Sequence, residues 1–222
     1  MTTSVRVPIG HEFLHGELSR SANAQGLVVF AHGSGSSRYS KRNQYVAHVL
    51  EGRGLATLLI DLLTPDEEEV DQRTRHLRFD IPLLAGRLVA IVDWLKHQTD
   101  TGSLTIGLFG ASTGGGAALM AAAARPRNIG AIVSRGGRPD LADRALPHVK
   151  APTLLIVGER DEPVIELNRD AMSRMGAPVS LVLVNDATHL FEEPGALERV
   201  ADLAGTWFVQ HLQPAPQPVA RR

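Results

Sequence analysis

The stretch Leu104-Thr105-Ile106-Gly107-Leu108-Phe109-Gly110-Ala111-Ser112-Thr113-Gly114-Gly115-Gly116-Ala117-Ala118-Leu119 decides how the rest of the chain is read. Leu104–Phe109 is a short apolar run bounded by small residues, as expected of a strand buried on both faces. Thr113–Ala124 is rich in Ala and reads as a helix. Between them stands Gly110-Ala111-Ser112-Thr113-Gly114, a G-x-S-x-G. Alone, that pattern arises by chance fairly often. Directly after a strand and directly before a helix, it is what a nucleophile elbow requires. The sharp turn puts Ser112 in a strained backbone conformation, and Gly110 and Gly114 let strand and helix pack closely around it. A plain helix N-cap, favoured by Ser and needing no chemistry, is the competing reading.

Outward from the elbow the same alternation repeats. Val5–Ile9 and Glu12–Leu18 alternate at period two around Gly10 and predict an antiparallel hairpin. Six apolar runs follow, at Leu27–Ala31, Leu55–Ile60, Leu104–Phe109, Ile129–Val133, Thr153–Val157 and Val179–Val184. Between them Ile81, Leu84, Leu88, Ile91 or Val92, and Leu95 recur three or four apart, one apolar stripe of a helix. Further helices are expected near Arg42–Arg53, Thr113–Ala124, Pro163–Met175 and Pro194–His211. Strands alternating with helices imply βαβ crossovers, hence an α/β fold with a mainly parallel, eight-stranded sheet covered by helices on both faces. Residues 1–212 are expected to form one domain, and the Pro-rich stretch from residue 213 to 222 a disordered tail. Leu62–Phe79, with Asp66-Glu67-Glu68-Glu69 and then Arg73, Arg75 and Arg78, reads as a solvated charged helix or a small lid.

Composition narrows the function. Twenty-three Lys and Arg against 24 Asp and Glu give a net charge of -1, without the basic excess that binding nucleic acid uses. The absence of cysteine excludes a disulfide framework, thiolate-held metal and a thiol nucleophile. No metal site and no cofactor are expected; Gly33-x-Gly35-x-x-Arg38 lacks the third glycine of a dinucleotide fingerprint, and no P-loop sequence occurs. No stretch reaches the apolar length of a membrane span and the first residues lack a secretory h-region, so a cytoplasmic location is expected.

A serine hydroxyl becomes a nucleophile only when a base takes its proton, and the base needs an acid to orient it. The order Ser, then acid, then His, with acid and base on loops after later strands, suits this architecture. Asp161, in Gly158-Glu159-Arg160-Asp161, follows one strand and His189 follows the next. His148 precedes a strand and His211 ends the last helix, so His189 is the fitting base. Glu159, Glu162, Asp140 and Asp143 remain alternatives to Asp161. For the oxyanion hole the backbone N–H groups of Thr113 and of Ser34, in His32-Gly33-Ser34-Gly35-Ser36, are expected.

These segments together, with Ala187-Thr188-His189-Leu190-Phe191, resemble the α/β-hydrolases, most closely the small capless dienelactone-hydrolase-like branch, over residues 5–211 or so. The resemblance implies an α/β-hydrolase fold without a large cap and with the second strand antiparallel to the rest. It also implies a Ser112–His189–Asp161 triad and hydrolysis of a small-molecule ester or lactone. The dienelactone hydrolases that name the branch use cysteine; with none here, a serine carboxylesterase is the expectation rather than that specific lactone. Transfer of the acyl group to another acceptor, or a catalytically silent ligand-binding protein, are the alternatives. Arg135 and Arg138 could hold a substrate carboxylate bidentately, or pair locally with Asp140 or Asp143. Arg38 and Tyr39 could line the pocket or anchor their loop.

Overall fold

The Val-, Ile- and Leu-rich runs join into one eight-stranded sheet in the order β1-β2-β4-β3-β5-β6-β7-β8. The computed structural model describes residues 1–213; of the expected Pro-rich tail, all but the first residue lies outside the described residues. The chain runs β1 (Thr2–Ile9), β2 (Glu12–Ser19), β3 (Leu27–Ala31), α1 (Lys41–Gly52), β4 (Ala56–Ile60), α2 (Pro65–Thr74) and α3 (Ile81–His97). It continues through β5 (Ile106–Ala111), α4 (Thr113–Ala124), β6 (Ile129–Arg135), β7 (Thr153–Gly158), α5 (Glu162–Arg174), β8 (Val179–Val184) and α6 (Ala196–His211). β2 is antiparallel to both its neighbours and every other pairing is parallel. The second strand is therefore the reversed one, as the resemblance implies. No helix among the described residues is long and apolar enough to cross a membrane.

Side chains alternate across each strand, so the central strands supply two cores at once. From β3, Leu27, Val29 and Ala31 face the side covered by α3 and α4, while Val28 and Phe30 face α1 and α6. Phe30 meets Phe109 of β5 with ring centroids 4.9 Å apart. α3 buries Ile81, Leu84, Leu88, Ile91, Val92 and Leu95, the stripe its spacing predicts.

Strand ends depart from the apolar runs. β5 begins and ends two residues later than its run, because Gly110 and Ala111 still pair with Ser134 and Arg135. Ladder hydrogen bonds, which depend on the neighbouring backbone, set those ends. β6 consequently runs on to Arg135, placing that residue on a strand rather than in a loop. The stretch Pro139–His148, for which the sequence suggests no element, forms tight 3-10 turns broken at Asp143, where φ is 35°.

Leu62–Phe79 forms the charged helix α2 and a short 3-10 turn at Leu77–Phe79. Thr64 and Glu67 cap α2 reciprocally, and Pro65 takes its first position. Asp71 is fully buried and accepts from the N–H groups of Leu77 and Arg78 and from Arg78 Nε. Glu67 pairs with Arg87 of α3. Glu67 thus ties the acidic run to the body of the fold, while Asp71 closes the segment on itself. Asp71→Ala is expected to lower stability by about 3 kcal/mol, because it leaves Arg78 and two N–H groups without their acceptor. Urea unfolding at neutral pH checks this.

Candidate active site

β5 delivers the chain to Ser112 at φ 51° and ψ -121°, a conformation that L residues rarely adopt and that costs about 1–3 kcal/mol. Its surroundings over-determine it. Ser112 N–H donates to the Arg135 carbonyl at 3.2 Å, and the Ser112 carbonyl accepts from Gly115 N–H and Arg138 N–H, both at 3.0 Å. A Cβ on Gly114 would lie 2.2 Å from the Ala31 carbonyl oxygen, and one on Gly110 2.6 Å from that of Gly114. Ser112 holds the N-cap position of α4, yet its side chain accepts no backbone N–H. The hydroxyl therefore does no capping and opens instead into a cavity of about 240 Å³.

The same cavity is lined by His189, from the loop after β8. His189 Nδ1 lies 2.6 Å from Asp161 Oδ2. Donation by Nδ1–H to that carboxylate leaves Nε2 as the ring nitrogen able to take a proton. Asp161 starts α5 without capping it. Three of the four alternative acids have other partners: Glu159 accepts from Asp186 N–H, Asp140 pairs with Arg138 and Asp143 pairs with Arg174. The β7 and β8 loops bring together two residues 28 positions apart.

The loop after β3 closes the opposite side. A Cβ on Gly33 would stand 3.1 Å from Ser112 Cβ, so the loop's backbone passes directly over the serine. Thr113 N–H lies in the first turn of α4, where no intrahelical acceptor exists. Ser34 N–H, however, already donates to Thr113 Oγ1 at 2.9 Å. Of the two donors expected for an oxyanion hole, one is engaged by a side chain that a ligand oxygen would have to displace or share.

His32 holds this loop in place. Its Nε2 accepts from Leu62 N–H at 3.1 Å, which puts the proton on Nδ1, 3.0 Å from the Gly33 carbonyl. Burial keeps its pKa below the ordinary 6.5, although the Gly33 carbonyl and the nearby Asp61 and Glu68 pull the other way. A second proton would set Nε2–H against Leu62 N–H. Because the folded pKa is depressed, the stability contributed by neutral His32 is complete above 6.5 and is lost as pH falls below that value. The melting temperature of His32→Gln should accordingly fall less steeply than that of the wild type as pH drops from about 6.5. Thermal melts across that range check this.

The arginines divide. Arg138 forms a two-pronged pair with Asp140, at 2.8 and 2.7 Å, so the local ion pair applies to it. Arg135 pairs with neither Asp140 nor Asp143; it is only 7% exposed and lines the cavity of Ser112. Arg38 is a loop anchor, held by Asp61 through both its backbone N–H and its guanidinium, and it borders a neighbouring cavity of about 470 Å³. Tyr39 is 61% exposed, stacks under Arg38 and lines neither of these cavities. Three lining residues that no sequence motif marks, Ser40, Arg42 and Asn43, come from the start of α1. Asn43 carried a signal: it falls on the buried stripe with Val46, Ala47 and Leu50 as the one polar member.

The chain matches the dienelactone hydrolase family over residues 15–206. It is 57% identical over 208 residues, 94% of its own length, to a Mycobacterium tuberculosis protein described as "Putative phosphoribosyl transferase". That match takes in 46% of the relative, so the chain spans about half the length of these proteins. A Streptomyces coelicolor bis(hydroxyethyl) terephthalate hydrolase is 28% identical over 214 residues, 90% of this chain and 64% of that one. Among solved structures, a dienelactone hydrolase from Anabaena variabilis has 62% identity and a TM-score of 0.95, covering 96% of this chain and 99% of its own. Taken with the sheet order and the elbow, these likenesses place the chain in the dienelactone hydrolase family.

Proposed function

We propose that the chain is a serine hydrolase of small carboxylic esters working through an acyl-enzyme. The observation that carries this reading is the convergence of Ser112, strained and uncapped, with a His189 already oriented by Asp161 at 2.6 Å. Ser112 Oγ attacks the acyl carbon while its proton passes to His189 Nε2. Asp161 holds the imidazole tautomer and stabilises the imidazolium. The carbonyl oxygen gains charge and takes the N–H groups of Thr113 and Ser34, the latter turning from Thr113 Oγ1. Collapse expels the alkoxide, which is protonated from His189. Water then attacks the acyl-enzyme, giving its proton to His189, and the acid leaves as Ser112 recovers its hydrogen.

The description of the longer relatives as a phosphoribosyl transferase belongs to proteins with about twice this sequence. The residues gathered around Ser112 support acyl transfer instead, and the hydrolase name of the Streptomyces coelicolor relative agrees with that chemistry. A cavity of about 240 Å³ suits a short acyl chain. Hydrolysis of p-nitrophenyl acetate by the wild type is the direct test, and acetate should be preferred over octanoate. A folded protein without turnover that also fails to react with a fluorophosphonate would overturn the reading. Asp161→Asn should lower kcat by about 10⁴-fold with folding retained, since the amide favours the wrong tautomer. Steady-state kinetics beside a melting curve measure it.

A further inference from the structure

The two edges of the sheet differ in chemistry. β1 carries Arg6 and Pro8, a charge and a missing donor of the kind that keeps an edge strand from pairing with another chain. β8, at the other edge, reads Val179-Ser180-Leu181-Val182-Leu183-Val184; it has no charge, no proline and no glycine, and its register with β7 runs without a bulge. Left bare, such a segment is a template for strand addition. The pairing with β7 fixes which groups are bare. Thr153 N–H donates to the Pro178 carbonyl and Glu159 N–H to that of Val184, so the even-numbered residues face β7, and the N–H and C=O groups of Val179, Leu181 and Leu183 point away from the sheet. Among the described residues no backbone group pairs with them. Ser180 is exposed, and beside it an open groove of about 390 Å³ runs between β8 and α6. Val182, Leu203 and Trp207 line the groove, and the indole N–H of Trp207 is buried without an acceptor.

We propose that β8 is an edge for self-association, pairing antiparallel with β8 of a second copy of this chain about a twofold axis through Leu181. The bare groups are self-complementary about that residue. Leu181 faces Leu181 of the second copy, Val179 faces its Leu183, and each facing pair exchanges two hydrogen bonds. Between these pairs Ser180 faces Val182 of the second copy without ladder bonds, on the groove side of the sheet. On the other side α5 lies over β7 and β8, with Val164 and Ile165 packed on Val157, Leu181 and Leu183. The two copies of α5 then lie two strand spacings apart, about 10 Å, an ordinary helix packing distance. They run antiparallel, which sets Glu162 and Glu166 in the first half of one against Arg169 and Arg174 in the second half of the other; Asp170 stays with Arg174 of its own helix. The uncharged edge thus meets its own complement both in backbone bonds and in helix charge.

The full-length chain is expected to sediment and scatter light as a species of twice 23.9 kDa. Ser180→Lys places an ammonium at an exposed position within the pairing edge and should weaken association about tenfold or more, with the circular dichroism of the wild type retained. Because the chain has no cysteine, crosslinking reports the register directly. Facing residues of a pair without ladder bonds have Cα atoms about 4.5 Å apart, within disulfide reach, whereas Ser180 and its own copy lie on a diagonal of about 7–8 Å, beyond it. A mixture of Ser180→Cys and Val182→Cys proteins should therefore form a disulfide-linked dimer on mild oxidation, faster than either variant alone. A monomeric mass at every concentration, a dimer that Ser180→Lys leaves intact, or a mixture that links no faster than the separate variants overturns the assignment. Should Val182→Cys not fold, Leu181→Cys carries the same comparison, since it faces its own copy across the axis at about 5.5 Å, with the exposed Ser103→Cys as the control for random collision. None of these readouts uses ester turnover, so the esterase reading stands or falls separately.

Discussion

Ser112→Ala is expected to abolish esterase turnover, lowering kcat on p-nitrophenyl acetate by about 10⁴-fold or more. The size follows from the division of labour at the site. On the proposed mechanism, His189 and Asp161 would have no nucleophile to activate without the hydroxyl, and the N–H groups of Ser34 and Thr113 would polarise a carbonyl that only water could attack. Alanine keeps the strained backbone, so stability should change little. Ser112→Gly separates chemistry from strain. It should be equally inactive yet melt above Ser112→Ala, because glycine adopts φ 51° without the Cβ penalty. Parallel melts of the two variants measure this, and a lower melting point for the glycine variant would show that the turn is unstrained.

The largest loss of stability should come from Gly114→Ala. A Cβ there would sit 2.2 Å from the Ala31 carbonyl oxygen and 2.7 Å from that of His32. Both are backbone atoms of the central strand and its loop, and neither can swing away as a side chain would. Either α4 lifts from β3 or the loop over Ser112 shifts, so the fold and the site suffer together. The expected loss is about 3 kcal/mol or more, at the upper end for an overpacked core, with ester turnover falling in the fraction that remains folded. Urea unfolding measures the first and kinetics the second. Gly52→Ala is the control: nothing lies within 4 Å of its added Cβ, and it should be neutral or slightly stabilising.

The same two positions show why so much is legible in the sequence. A strand followed by G-x-S-x-G and a helix leaves one steric solution, and the order of serine, acid and histidine on successive strand ends then narrowed the partners to a few residues. β8 and α4 have the bounds their residue patterns predict, because an apolar run ends where polar or turn-forming residues begin. β5 and β6 extend past their apolar runs because a strand's end depends on what the neighbouring strand offers for hydrogen bonding. Pro139–His148 is not legible in the sequence because tight 3-10 turns between two prolines have no hydrophobic period.

Charge pairing was the least legible property. Arg135 and Arg138 lie three residues apart with acids close by in sequence, and both reasonably suggest local ion pairs. Only Arg138 forms one; Arg135, at the end of β6, turns into the cavity beside a cation from α1. Arg38 is tied to Asp61, which lies 23 residues away. Ser34 N–H meets Thr113 Oγ1 across 79 residues. Local patterns of apolarity, glycine and turn residues suffice for the strands, the helices and the elbow, because those depend on sterics and burial within a few residues. Which charge meets which, and which donor is free, depends on side chains brought together from distant strands. Fractions of a helical turn decide those meetings, and they exist only once the sheet has formed.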